Sequence, residues 1–112
     1  MFQKILEFYI DKNGHIPILE WLETLDGRTQ ACIRNRLTRL ELGNFGDCKP
    51  VGDGVSELKF AFGPGYRVYF GEVGRMIVLL LCGGDKSTQS KDIKRAKHYW
   101  KRYEEHIHEQ ED

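Results

Sequence analysis

Four charged residues, Glu57, Lys59, Arg67 and Lys86, lie in or beside segments of this chain that are otherwise hydrophobic. They fall within residues 57 to 89, ELKFAFGPGYRVYFGEVGRMIVLLLCGGDKSTQ, which read as three short strands joined by tight turns. A small domain ordinarily keeps such groups away from its sheet core, so their placement calls for a chemical or an interfacial explanation. A carboxylate can take a proton, and ammonium or guanidinium groups can hold an anion. Glu57 and Lys59 are two apart on a strand and point to one face, as do Arg67 and Tyr69 on the next. Whether the two pairs share a face depends on register, which alternation alone does not set. The competing explanation is a cross-strand ion pair of Glu57 and Lys59 with Arg67, worth up to about one kcal/mol. Arg67 interrupts an aromatic strand, which favours function there. Asp85-Lys86 taken alone reads as a turn before a helix.

The elements that must position these groups follow from periodicity and turn residues. Residues 2 to 10 read as an opening strand with Leu6, Phe8 and Ile10 on one side, ended by Asn13-Gly14. Pro17 suits the first turn of a helix whose apolar stripe is Ile18, Trp21, Leu22 and Leu25, and Asp26-Gly27 breaks it. A second helix over 29 to 42 carries Ile33, Leu37 and Leu40 at helical spacing, with Gly43 as its stop. Residues 43 to 54, rich in glycine and holding Pro50, read as a loop. Strands at 55 to 62 and 66 to 72 flank Gly63-Pro64-Gly65, which fits a type II turn. Residues 76 to 82 are apolar throughout and bounded by glycines, the pattern of a central strand covered on both faces. A last helix over 88 to 105 has Ile93, Ala96, Trp100 and Tyr103 on one stripe. The expectation is one α+β domain over 1–112, order β-α-α-β-β-β-α, with a helical hairpin and a C-terminal helix packed on a small, mainly antiparallel sheet.

Composition narrows the class. At 112 residues and 40% hydrophobic, the chain can fold on one core without disulfides or metal. Cys32, Cys48 and Cys82 make no CxxC pair, which favours free thiols in a reducing cytoplasm. The longest apolar run is too short for a bilayer, and the N-terminus is a poor signal peptide. Formal charge is zero, but residues 84 to 102 carry seven Lys or Arg against two Asp, and Arg34, Arg36 and Arg39 lie in a stretch without acids. Such separation can make a basic face on a neutral molecule, or simply two solvated helix surfaces.

The element order, SELKFAFGPGYRVYFGE and LLLCGGDKSTQSKDIKRAKHYW together resemble the phage-derived addiction-module killer proteins of the RelE/ParE toxin superfamily, close to HigB-type members. The resemblance covers nearly the whole chain. It implies a type II toxin made beside a helix-turn-helix antitoxin. RelE-like members cut messenger RNA in the ribosomal decoding site, without a metal or other cofactor; ParE-like members poison DNA gyrase. Metal-free cleavage has the 2′-hydroxyl attack its own 3′-phosphate, which needs a base, cations around the phosphorane and an acid for the 5′ oxygen. By resemblance Arg67 falls at the transition-state arginine and Lys86 near the basic residue after the last strand. Glu57 and Lys59 match the strand that carries the general base, with Glu57 the easier choice. Tyr66 and Tyr69 are candidates for stacking bases, although a core or rim place is commoner for such rings. The Lys91, Lys94, Arg95 and Lys101 surface and the Arg34, Arg36 and Arg39 surface are candidates for phosphates or for an acidic part of the antitoxin.

The chain departs from the family pattern at the acid. No histidine lies in the candidate site, and the stretch after the final strand offers only Ser87, Thr88 and Gln89. His106-x-His108-Glu109 does not read as a metal site, because an i, i+2 pair diverges on a helix. The first expectation is therefore a ribosome-dependent endoribonuclease toxin. A non-enzymatic gyrase inhibitor is the alternative, and an inactive toxin-fold partner protein the third.

Overall fold

A computed structural model describes residues 3–111. The chain runs β1 (Ile5–Phe8), α1 (Pro17–Glu23), α2 (Gly27–Glu41), β2 (Cys48–Gly52), β3 (Val55–Lys59), β4 (Arg67–Val73), β5 (Ile77–Gly84), a 3-10 turn (Lys86–Thr88) and α3 (Gln89–Glu111). Five strands form one mixed sheet in the order β1-β5-β4-β3-β2. β1 runs parallel to β5, and every other neighbouring pair is antiparallel. The α+β class, the N-terminal pair of helices and the C-terminal helix agree with the sequence. Position 2, where the opening strand was expected to begin, lies outside the described residues.

The strand count is a correction. Residues 43 to 54 are not all loop, because Cys48–Gly52 pair with β3. Pro50 obscures this strand in the sequence, yet β2 is at the sheet edge, where a missing N–H costs little. Asp53 and Gly54, at φ 56° and 86°, make the two-residue link to β3. Both need the left-handed region, which is why Asp-Gly suits this hairpin.

Each helix begins for a local reason. Pro17 sits in the first turn of α1, where its absent N–H would be unpaired in any case. Asp26 caps α2: its carboxylate accepts from the Thr29 N–H and the Thr29 hydroxyl, both at 2.9 Å. These bonds, the backbone one first, hold the Asp26 carboxyl below its ordinary range. A depressed pKa contributes stability above the unfolded value and loses it as pH falls through the folded one. Asp26→Ala should therefore lower the melting temperature at pH 7, and the two proteins should converge when melted below about pH 3. A gap that is constant with pH would show that the carboxylate is not the capping group.

The helices bury the sheet on both faces. Ile18, Leu22, Ile33, Leu37 and Leu40 pack on Leu58, Val68, Phe70, Val78 and Leu80. On the other face Ala96 and Trp100 of α3 cover Val55, Tyr69, Leu79 and Leu81. A bulge in the β4/β5 ladder leaves Leu81 unpaired between Leu80 and Cys82, so Leu81 and Cys82 both join the α3-side core. Alternation then resumes with Gly83 under Trp21 and Gly84 under Asp92. No helix among the described residues is long and apolar enough to cross a membrane.

Candidate functional site

The β3/β4 register decides what alternation left open. Glu57 pairs with Tyr69 and Lys59 with Arg67, so all four residues belong to the α3 side of the sheet. Arg67 also stands opposite Gly84 at the end of β5. The chain then turns at once into Lys86, whose N–H donates to the Pro64 carbonyl at 3.3 Å. Gly65, at φ 77°, lies between the Arg67 guanidinium and the base of the Lys86 side chain: a Cβ there would be 3.1 Å from Arg67 Nη1 and 3.4 Å from Lys86 Cβ. Three segments distant in sequence thus bring Lys59, Arg67 and Lys86 to one end of the sheet. Lys59 and Lys86 are exposed there.

Arg67 is held from inside. Its Nε lies 3.4 Å from Glu57 Oε1, close enough for an ion pair though not aligned as a hydrogen bond. Its Nη1 donates to the Gly65 carbonyl at 2.6 Å. Gln89, the first residue of α3, donates from Nε2 to Glu57 Oε2 at 2.8 Å. Only 1% of Glu57 and 5% of Arg67 remain exposed. Both carboxylate oxygens are therefore occupied, and no 2′-hydroxyl can reach Glu57 in this arrangement. Its visible work is to orient Arg67. For Arg67 to meet a phosphate, the exposed Gly63–Gly65 turn or the Lys86 turn beside it has to move aside.

Tyr69 is a core residue, not a stacking platform. Its ring is fully buried beneath α3, and its hydroxyl has no hydrogen-bond partner among the described residues. Burial, reinforced by the nearby Glu57 carboxylate, pushes the phenol well above the ordinary tyrosine range and makes it a poor proton donor. Tyr66 is half-buried at the turn, its ring against Trp21 and Phe62. The cations of α3 do not form one surface. Arg95 turns toward α1 and β5, with Nη2 3.3 Å from Asp92 Oδ1 and 3.4 Å from the Gly83 carbonyl. Lys94 and Lys101 face the Asp53 turn instead, where Lys97 pairs with Asp53 at 3.5 Å. Lys91 is exposed on the first turns.

Two residues that hold the site were missed by sequence reasoning. Gln89 looked inert as an acid, and nothing in one sequence signals that it reaches Glu57, 32 positions away. Asp92 is buried at 5% exposure, accepting from the Thr88 hydroxyl at 2.5 Å. It fits only because residue 84 is glycine, since a Cβ there would lie 1.8 Å from its carboxylate oxygen. The Thr88-x-x-x-Asp92 spacing was the available signal. Among the described residues no group of three His, Cys, Asp or Glu side chains is arranged to hold a metal ion.

With this geometry in place, comparison with curated proteins finds an uncharacterized protein of Haemophilus influenzae that is 55% identical over 78 residues, spanning 69% of this chain and 79% of that protein. The chain belongs to that protein's family. No family model matches it. Identity at this level implies that the two share a fold over the matched residues.

Proposed function

We propose that this chain is the toxin of a type II toxin–antitoxin pair, with a RelE/ParE-like topology and a ribosome-dependent, metal-independent endoribonuclease activity on messenger RNA. The observation that carries this reading is the meeting of Arg67 and Lys86 on either side of Gly65, with Lys59 directly opposite Arg67. A phosphodiester at that end of the sheet would meet the exposed Lys59 and Lys86 and, once the turn beside it moves aside, the buried Arg67 with its carboxylate partner. Arg67 and Lys86 would stabilise the phosphorane, Lys59 would bind phosphate, and Glu57 would aim Arg67 rather than take the 2′ proton. No side chain is assigned to the 5′ oxygen. The antitoxin expected beside such a toxin is a helix-turn-helix protein.

The sealed Glu57–Arg67 pair favours the second reading, a non-enzymatic ParE-like inhibitor of DNA gyrase acting through its surface. One experiment separates them. Induced expression should arrest growth, and primer extension should find new 5′ ends within codons of translated messages. Lys86→Ala, at an exposed position, should reduce cleavage by about 10²-fold or more while leaving the fold unchanged. Arrested cells with intact messages would sink the ribonuclease reading. A change in plasmid supercoiling in those cells would support the gyrase one.

A further inference from the structure

On the opposite side of Lys59 from Arg67, the outer surface of α2 and the chain leaving β3 enclose an open groove of about 470 Å³. Cys32, Arg36 and Arg39 of α2 line one wall, and residues 59 to 62 the other, with Asp47 as the single carboxylate. Arg36 is fixed in place: its Nη2 donates to the Phe45 carbonyl at 3.1 Å, and its guanidinium lies where any side chain at residue 46 would clash. Arg39 and Lys59 are exposed. Phe62 is 38% exposed, with its ring braced by Phe60 in an edge contact at 6.0 Å and by Tyr66 at 5.6 Å. The groove's lining thus combines a supported, part-exposed aromatic ring with Arg36, Arg39 and Lys59.

We infer that this groove binds a single-stranded RNA segment flanking the cut phosphodiester, with phosphates on Arg39 and Lys59 and one base stacked on Phe62. The inference rests on the ribonuclease reading of the Arg67 end, and Lys59, common to both places, makes the path continuous. An acidic peptide would be satisfied by the cations alone and has no use for an open phenyl face. Unpaired RNA needs both, because its bases stack on aromatic rings while its backbone seeks positive charge.

Cys32 supplies a reporter inside the groove. It is the exposed thiol; Cys48 is half-buried and Cys82 buried. Burial raises the pKa of both, Cys82 to about 11, which slows their alkylation at neutral pH. A fluorescein-labelled octauridylate is titrated onto the intact chain while iodoacetamide labelling is read by mass spectrometry. Bound RNA should slow Cys32 labelling at least about fivefold. Phe62→Ala should weaken binding at least about fivefold, through lost stacking. Arg39→Ala should also weaken it and reduce the slope of log affinity against log salt by about 0.7. Both positions are exposed, and circular dichroism confirms folding. Absent binding, an unchanged Cys32 rate at saturating RNA, or wild-type binding by Phe62→Ala overturns the inference; so does protection by hexaglutamate but not RNA. If Lys86→Ala relieves message cleavage while Cys32 stays unprotected, only the groove is lost. If Cys32 is protected but messages stay intact, only the nuclease reading is lost.

Discussion

Glu57→Ala should destabilise the fold by about 3–5 kcal/mol, the cost typical of stranding one member of a buried ion pair. The carboxylate is 1% exposed and Arg67 5%, so the remaining guanidinium would keep its charge with little access to water. Arg67 would retain its bond to the Gly65 carbonyl, but Gln89 would lose its acceptor and α3 a tie to β3. The pair as a whole is a different matter, because desolvation of two ions roughly offsets their attraction. Glu57→Leu combined with Arg67→Met should therefore be far less harmful than Glu57→Ala, and close to neutral. Urea denaturation checks both, read as midpoint shifts at constant slope. A loss below about 1 kcal/mol for Glu57→Ala would mean that water reaches the pair. The double variant also divides structure from chemistry. Under the ribonuclease reading it keeps the sheet yet cleaves no messages, since its phosphate-gripping guanidinium is gone. A double variant that still cleaves would leave Lys59 and Lys86 as sufficient and remove Arg67 from the mechanism.

What could be read from the sequence follows from how local each cause is. Pro17, the Asp26-Gly27 break and the Ile33, Leu37, Leu40 stripe act over one or two turns, and the helix pair stands where they put it. The apolar run before Gly83 became the buried β5 because both its faces are covered. β2 was hidden because its residues, Cys-Lys-Pro-Val-Gly, carry weak strand preference, and only pairing with β3 makes them extended. Asp53-Gly54, a dipeptide suited to a tight hairpin, was the local signal for it. At the candidate site, alternation correctly put Glu57 with Lys59 and Arg67 with Tyr69. It could not say that Gln89, at the start of α3, reaches across to Glu57, nor that the helix buries Tyr69. Charge counting left a basic face and solvated helix surfaces both open, and the structure shows the second. The excess of cations in residues 84 to 102 is divided around α3, with Arg95 toward α1 and Lys97 toward the Asp53 turn.

Trp100→Ala should cost about 3–5 kcal/mol, and its cost should depend on a glycine across the interface. The indole of Trp100, 7% exposed, lies directly on Gly71 of β4, where a Cβ would be 2.4 Å from two ring carbons. The opposite face repeats the device: a Cβ at Gly83 would be 2.2 Å from Trp21. Neither glycine has a positive φ, so space and not backbone conformation is what demands it. Gly71→Ala alone should then destabilise by about 1–3 kcal/mol through overpacking. In the Trp100→Ala background the same methyl would enter the vacated volume, so the second substitution should be nearly free or slightly stabilising. The double-mutant cycle should thus show coupling of about 1–3 kcal/mol, whereas additive costs would show that the ring does not seat on the glycine. The consequence reaches the cationic end. Gly83 precedes Gly84, the partner of Arg67 in the β4/β5 ladder, and Lys86 follows two residues later. Trp21 on Gly83 therefore fixes the end of the strand from which Lys86 departs; under the ribonuclease reading, Gly83→Ala should impair message cleavage more than its effect on stability alone explains, whereas Gly71→Ala should not.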